Sequence, residues 1–229
     1  MVIGNGLVAS KFASYKNDDR FVVFASGVSN SKNTDQAAYQ RETDLLQTTI
    51  KMHADKTLVY FSTCSINDPA EADSPYVVHK KKIEELIQED VRSYYIFRVS
   101  NLAGKSANQN TILNFFYYHI LHNINFDLWT NSARNLVDSD DMFAIADYIL
   151  QKKIYSNQVI NIANPISYSV KEIITALEEL LGKRANYISI AKGSKFPIDI
   201  SLVSPIIEEL KINFDETYLS RLLKKYYSQ

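Results

Sequence analysis

Tyr76 and Lys80 stand four residues apart, and a hydroxyl pair, Ser62 and Thr63, comes shortly before them in the chain. Residues at that spacing share one helical face and can point at the same spot. A lysine ammonium beside a phenol favours the phenolate and lowers its pKa, which makes a proton donor and acceptor usable near neutrality. A threonine hydroxyl at the same spot would orient the oxygen that exchanges the proton. A bare Y-x-x-x-K pattern is weak in a chain with 15 tyrosines; its order after a Ser-Thr pair carries more. The competing reading makes Tyr76 a surface residue and Lys80 one of the solvated run Lys80, Lys81 and Lys82.

The elements that must position these groups are legible around them. Thr57 to Phe61 reads as a buried strand with Ser62 and Thr63 at its carboxyl end, the edge where open α/β sheets bind ligands. Pro75 opens a helix over Val77 to Gln88, with Ser74 as its cap. Upstream lie a clipped strand at Val2 and Ile3, a helix from Leu7 to Tyr15, an apolar strand from Phe21 to Phe24 and a helix from Thr34 to Ala54. Downstream come a strand at Tyr94 to Phe97, helices at Asn110 to His122 and Ala144 to Lys153, and a strand at Val159 to Ile162. A last long helix, Val170 to Leu181, stops at Gly182. Such alternation predicts a mostly parallel sheet covered by helices.

Gly4-Asn5-Gly6-Leu7-Val8-Ala9 matches G-x-G-x-x-A between the first strand and the first helix. The glycines permit a tight turn and close approach of a pyrophosphate, and the helix start offers unpaired N–H groups. An ordinary strand-to-helix turn is the alternative. The usual continuation, a second strand ending in an acidic residue for a ribose, is missing: Phe21 to Gly27 follows almost at once, and Asp18 and Asp19 read as solvated turn residues.

Composition sets the outer bounds. A chain of 229 residues with 46% hydrophobic content can bury a real core. Formal charge is −1, which points to neither nucleic acid nor a membrane surface as partner. No apolar run reaches the length of a membrane span. One cysteine, Cys64, leaves no intramolecular disulfide and suits a reducing cytoplasm, where it reads as a small buried residue. The four histidines lack metal spacing, so no metal site is expected.

These residues resemble the extended short-chain dehydrogenase/reductase family, specifically the NAD-dependent epimerase/dehydratase group acting on nucleotide sugars. The likeness runs through Gly4-x-Gly6-x-x-Ala9, Phe24 to Gly27, Ser62-Thr63 with Tyr76 and Lys80, Phe97 to Gly104, Arg134 to Asp141, and Asn161 to Pro165. It implies a Rossmann-like doubly wound parallel sheet. Residues 1–105 would form an abbreviated nucleotide-binding domain, and 106–229 would complete the sheet near 159–162 and supply a small α+β substrate lobe. It further implies Thr63, Tyr76 and Lys80 as catalytic residues and NAD or NADP as cofactor. Gly4, Gly6, Leu7, Val8, Ala25, Ser26, Gly27 and Ser62, with Tyr76 and Lys80, would hold that cofactor. Thr63, Asn101 and Arg134 would bind a nucleotide sugar, the arginine at its diphosphate. Surface pairing of Arg134 with Asp138 or Asp140 and a turn or cap role for Asn101 are the plainer alternatives.

Two departures shape the expected activity. The family's second and third strands and their connecting helix have no counterpart, which leaves the first strand at a sheet edge on the adenosine side. Cys64 and Ser65 stand where dehydratases of the group carry an Asp-Glu pair, so water elimination lacks its carboxyl acid and base. The resemblance therefore implies a nucleotide-sugar oxidoreductase or epimerase, first of all a reductase of a 4-keto-deoxysugar in polysaccharide biosynthesis. The rival is a shortened relative that binds a sugar nucleotide or a protein partner without redox chemistry. A homodimer through helices near 34–54 and 76–90 is also implied.

Overall fold

The computed structural model describes residues 1–106 and 108–228. In chain order the first half runs β1 (Val2–Ile3), α1 (Leu7–Lys11), β2 (Phe21–Phe24), α2 (Gln36–Met52), β3 (Thr57–Thr63), α3 (Pro75–Asp90), β4 (Tyr94–Val99) and β5 (Asn101–Ala103). The second half runs α4 (Ile112–Leu121), β6 (Phe126–Trp129), β7 (Ala133–Asp138), α5 (Ser139–Lys152), β8 (Gln158–Ile162), β9 (Ser167–Ser169), α6 (Val170–Leu181), β10 (Tyr187–Ile190), α7 (Ser204–Glu209) and α8 (Tyr218–Tyr227).

Five strands form the main sheet in the order β1-β2-β3-β4-β8, all parallel. Their apolar runs are continuous because both sheet faces are covered. Alternate side chains of β2 separate cleanly: Phe21 and Val23 join the core under α5, while Val22 and Phe24 join the core with Leu46 of α2 and Ile83 and Ile87 of α3. Helices thus cover both faces, the doubly wound arrangement the sequence implies. The strand order itself runs in one direction, so β1 is an edge strand.

A second core forms where α4, α6 and α8 pack over β6 and β7. Two small sheets serve it: β5-β7-β9, and a parallel β6-β10 pair. Local chemistry explains the boundaries. Ser74 caps α3, with Val77 N donating to its Oγ at 3.3 Å, and Pro75 occupies the first turn. Ser169 and Glu172 form a reciprocal capping box at α6, which ends at Gly182 in the left-handed region (φ +61°). The helix expected over Leu7 to Tyr15 is split. Phe12 leaves helical geometry (φ −89°, ψ 19°), and Ala13–Asn17 tighten into a 3-10 turn. That turn keeps both Phe12 and Tyr15 in the core.

Candidate active site

Parallel register brings the strand ends to one edge. Ile3 lies beside Phe24 and Phe24 beside Tyr60, so the segments after β1 and β2 open on the same side as the end of β3. Gly4 has φ +124°, and a Cβ there would stand 2.3 Å from the Ala25 carbonyl oxygen; no other residue fits. A Cβ on Gly6 would meet nothing within 4 Å. The turn is therefore tight against β2 and clear above Gly6, which caps α1 with no side-chain bond. Leu7 packs on Gly104 and Val8 on the sheet core, so both act here through packing. Arg41 of α2 reaches the same edge, donating to Ser26 Oγ at 3.4 Å and to its carbonyl at 3.2 Å.

Thr63, Tyr76 and Lys80 come together at the carboxyl end of β3. Thr63 Oγ1 accepts from Ser65 N at 3.1 Å, and the Thr63 hydroxyl is among the groups that act on the Tyr76 phenol. Both residues are buried, and the Lys80 ammonium stands 5.9 Å from the centre of the Tyr76 ring. The solvated-face alternative fails, since Lys80 is only 2% exposed.

What holds Lys80 there is a carboxylate that sequence reading passed over. Glu42 of α2 is fully buried at the middle of a four-sided cluster. Its Oε1 accepts from Lys80 Nζ at 2.9 Å and from Tyr60 Oη at 2.7 Å. Its Oε2 accepts from Val28 N at 2.6 Å and lies 3.0 Å from His79 Nε2. Lys80 donates also to Tyr60 Oη at 2.8 Å. Burial alone would raise the Glu42 pKa; the Lys80 charge and the bonds from His79, Tyr60 and Val28 outweigh it and hold the carboxyl well below its usual range.

The expected lowering of the Tyr76 pKa is therefore corrected. Burial pushes this phenol up to about 12, with the Thr63 hydroxyl opposing and the Glu42 charge adding to the rise. The ammonium meant to favour phenolate is matched by a carboxylate at contact distance. A signal for Glu42 existed: it falls on the buried stripe Tyr39, Glu42, Leu46 and Thr49 of α2, where a charge demands a partner.

The remaining residues divide. Ser62 Oγ donates to Glu84 Oε1 at 2.5 Å, and Glu84 is bound by Arg98 at 2.6 Å, so this hydroxyl serves a buried ion pair. Asn101 donates to the Asn135 carbonyl at 2.9 Å and Asn135 to that of Asn164 at 2.7 Å, a chain tying β5 and β7 to the loop after β8. Asp138 and Asp140 pair with Lys225 at 2.7 and 2.6 Å, and neither pairs with Arg134. Among the described residues the Arg134 side chain makes one hydrogen bond, to the Ala133 carbonyl at 3.0 Å. Burial works against its charge, while Asp68 and Glu71, in the segment between β3 and α3, support it. Cys64 is buried, donates to the Arg98 carbonyl and is pushed up to about 12 by burial.

The fold and this edge define a Rossmann-like α/β protein. The chain belongs to the NAD dependent epimerase/dehydratase family, whose model matches residues 20–163. Among solved structures, UDP-glucuronic acid 4-epimerase from Bacillus cereus, in complex with UDP-glucuronic acid and NAD, is 18% identical with a TM-score of 0.72, covering 97% of this chain and 79% of that one. The dTDP-glucose 4,6-dehydratase from Bacillus anthracis, in complex with NAD, is 16% identical with a TM-score of 0.69, covering 96% and 76%. RMD from Pseudomonas aeruginosa, complexed with NADPH, is 14% identical with a TM-score of 0.68, covering 96% and 85%. No curated protein matches the chain.

Proposed function

We propose that this protein is a nucleotide-sugar oxidoreductase or epimerase, foremost an NAD(P)-dependent reductase of a nucleotide-linked 4-keto-deoxysugar. The observation that carries the reading is the buried Thr63–Tyr76 pair at the carboxyl edge of a parallel sheet, beside an open glycine turn. Tyr76 moves the hydroxyl proton of the sugar and Thr63 orients the sugar oxygen. Arg134, with most of its fork unused, suits a diphosphate better than a lysine would.

A nicotinamide dinucleotide fits the residues present. The cradle at Gly4 excludes any side chain, and the space above Gly6 is clear for a pyrophosphate. Residues 4, 6–8, 25–27 and 62 would hold it with Tyr76 and Lys80, whose ammonium has a third hydrogen beyond those given to Glu42 and Tyr60. When bound, the dinucleotide supplies the hydride donor or acceptor. The neighbours complexed with NAD or NADPH support the same assignment.

One observation favours a second reading. The sheet ends at β1, on the side where the family resemblance places the adenosine half. A relative that binds a sugar nucleotide or a protein partner without redox chemistry would have that edge. Calorimetric titration with NAD, NADP, NADH and NADPH separates the two. Saturable binding of any of them supports the reductase; failure of all four, with nucleotide-sugar binding kept, supports the second reading.

The proposal extends to a homodimer formed through α2 and α3, and to the cytoplasm as location, where the unpaired thiol of Cys64 stays reduced. No helix among the described residues is long and apolar enough to cross a membrane.

A further inference from the structure

Glu42 has no place in the reading above, yet it is the most heavily bonded carboxylate near Tyr76. Both of its oxygens carry two partners, and one of them is the ammonium of Lys80. Gly27 is part of the arrangement. A Cβ there would lie 2.7 Å from Lys80 Nζ and 2.9 Å from Glu42 Oε1, so the bare backbone of the strand end makes room for the pair. The lysine and the carboxylate thus form a charge-matched pair beneath the strand end, with Tyr60 shared between them.

We propose that Glu42 is a positioning residue that takes Lys80 out of service as an activator of Tyr76, so that Tyr76 rests as a protonated phenol in the free protein. The proposal rests on the functional reading above and deepens it by assigning the resting state of the Tyr76 hydroxyl. A free ammonium near a phenol stabilises phenolate and prepares it to abstract a proton. An ammonium matched by a buried carboxylate at contact distance gives a much weaker net field. The other groups facing Tyr76 do not replace it. Thr63 comes from β3; Tyr39 of α2 and Tyr60 of β3 are phenols, and His79 of α3 is engaged with Glu42. In carbonyl reduction a bound nicotinamide dinucleotide would supply the hydride to the carbon while the substrate oxygen takes the Tyr76 proton, and water reprotonates the tyrosinate left behind, leaving hydroxide to the solvent.

The test reads the phenol directly in the free protein, so it stands whether or not the activity assigned above is correct. Protein labelled with 13C at tyrosine Cζ is titrated by NMR, with the Tyr76 signal assigned by its loss in Tyr76→Phe. In the wild type Tyr76 stays protonated through pH 9; ionisation below that overturns the proposal with no variant needed. Glu42→Gln lowers the Tyr76 midpoint by at least one unit, a tenfold or greater gain in phenolate at a given pH. Glu42→Gln/Lys80→Met, which removes both halves of the pair and folds without an unpaired buried charge, brings the midpoint back to the wild-type value. An unchanged midpoint in Glu42→Gln overturns the proposal. So does a double variant that keeps the lowered midpoint, because the effect would then not pass through Lys80.

Discussion

Replacing Gly27 by alanine inserts one methyl group against the tips of two buried charged side chains. The backbone at Gly27 lies outside the left-handed region, so alanine adds no torsional strain, and the whole effect comes from contact. The new Cβ would stand 2.7 Å from Lys80 Nζ, 2.9 Å from Glu42 Oε1 and 3.3 Å from Glu42 Cδ. A surface lysine tip would swing aside at little cost. Here the ammonium is anchored at 2.9 Å to Glu42 and 2.8 Å to Tyr60, and Glu42 is held by Val28 N at 2.6 Å. Accommodation therefore loosens at least one charge-assisted bond in a buried site. Losing a buried bond costs about 1–3 kcal/mol, and breaking a buried pair outright about 3–5 kcal/mol. Displacement falls between them, so Gly27→Ala should lose about 2–4 kcal/mol. For a chain of this size that is a fall in Tm of roughly 4–16 °C. Urea unfolding followed by circular dichroism measures the loss, and a cycle with Lys80→Ala measures its coupling to the pair. A loss under about 0.5 kcal/mol, or full additivity with Lys80→Ala, would mean that the methyl group is absorbed without disturbing the pair.

Three further outcomes follow from the same geometry. Gly6→Ala, whose Cβ meets nothing within 4 Å, should leave stability within about 0.5 kcal/mol while weakening dinucleotide binding at least tenfold by calorimetry. Arg134→Ala should weaken nucleotide-sugar binding about tenfold or more, and Arg134→Lys should restore little of it because the fork is lost; equal affinity in the lysine variant counts against a bidentate diphosphate contact. Glu42, held below its ordinary pKa of 4.5, contributes stability that is present above that value and lost as pH falls through the folded one. Unfolding free energy should therefore drop below about pH 4.5, with a shallower acid slope in Glu42→Gln measured by urea titration across that range.

The elements that carry the site were legible because each has a strong local signal. The run Thr57 to Phe61 is apolar on both faces, Ser74-Pro75 marks a helix start, and Gly182 a helix stop; the structure has β3, α3 and the end of α6 at those places. Arg134 to Asp138 was legible as a motif but not as a strand, since β7 is held by pairing with β5 and β9, which lie far off in the sequence. The end of the chain was harder. α8 buries Tyr218, Leu219, Leu222, Leu223 and Tyr227 against α6 and β7, contacts between segments with no shared local pattern. At the site, spacing alone placed Tyr76 and Lys80 on one face. It could not show that Glu42, thirty-eight positions from Lys80, stands on the ammonium. Burial of the phenol, with the Glu42 charge adding to it, reversed the expected direction of the Tyr76 pKa, and neither is written in the spacing of Tyr76 and Lys80.

The most direct test of the functional account is turnover of a nucleotide-linked 4-keto-deoxysugar by Tyr76→Phe, followed at the nicotinamide absorbance band with NADH and NADPH in turn. The substitution removes one hydroxyl from a residue 7% exposed and leaves its ring in place, so circular dichroism should match the wild type. The account predicts a wild-type rate that falls by about 10²–10⁴ in the variant while dinucleotide binding is kept, the share a positioned proton donor supplies. A variant that turns over at the wild-type rate would contradict it.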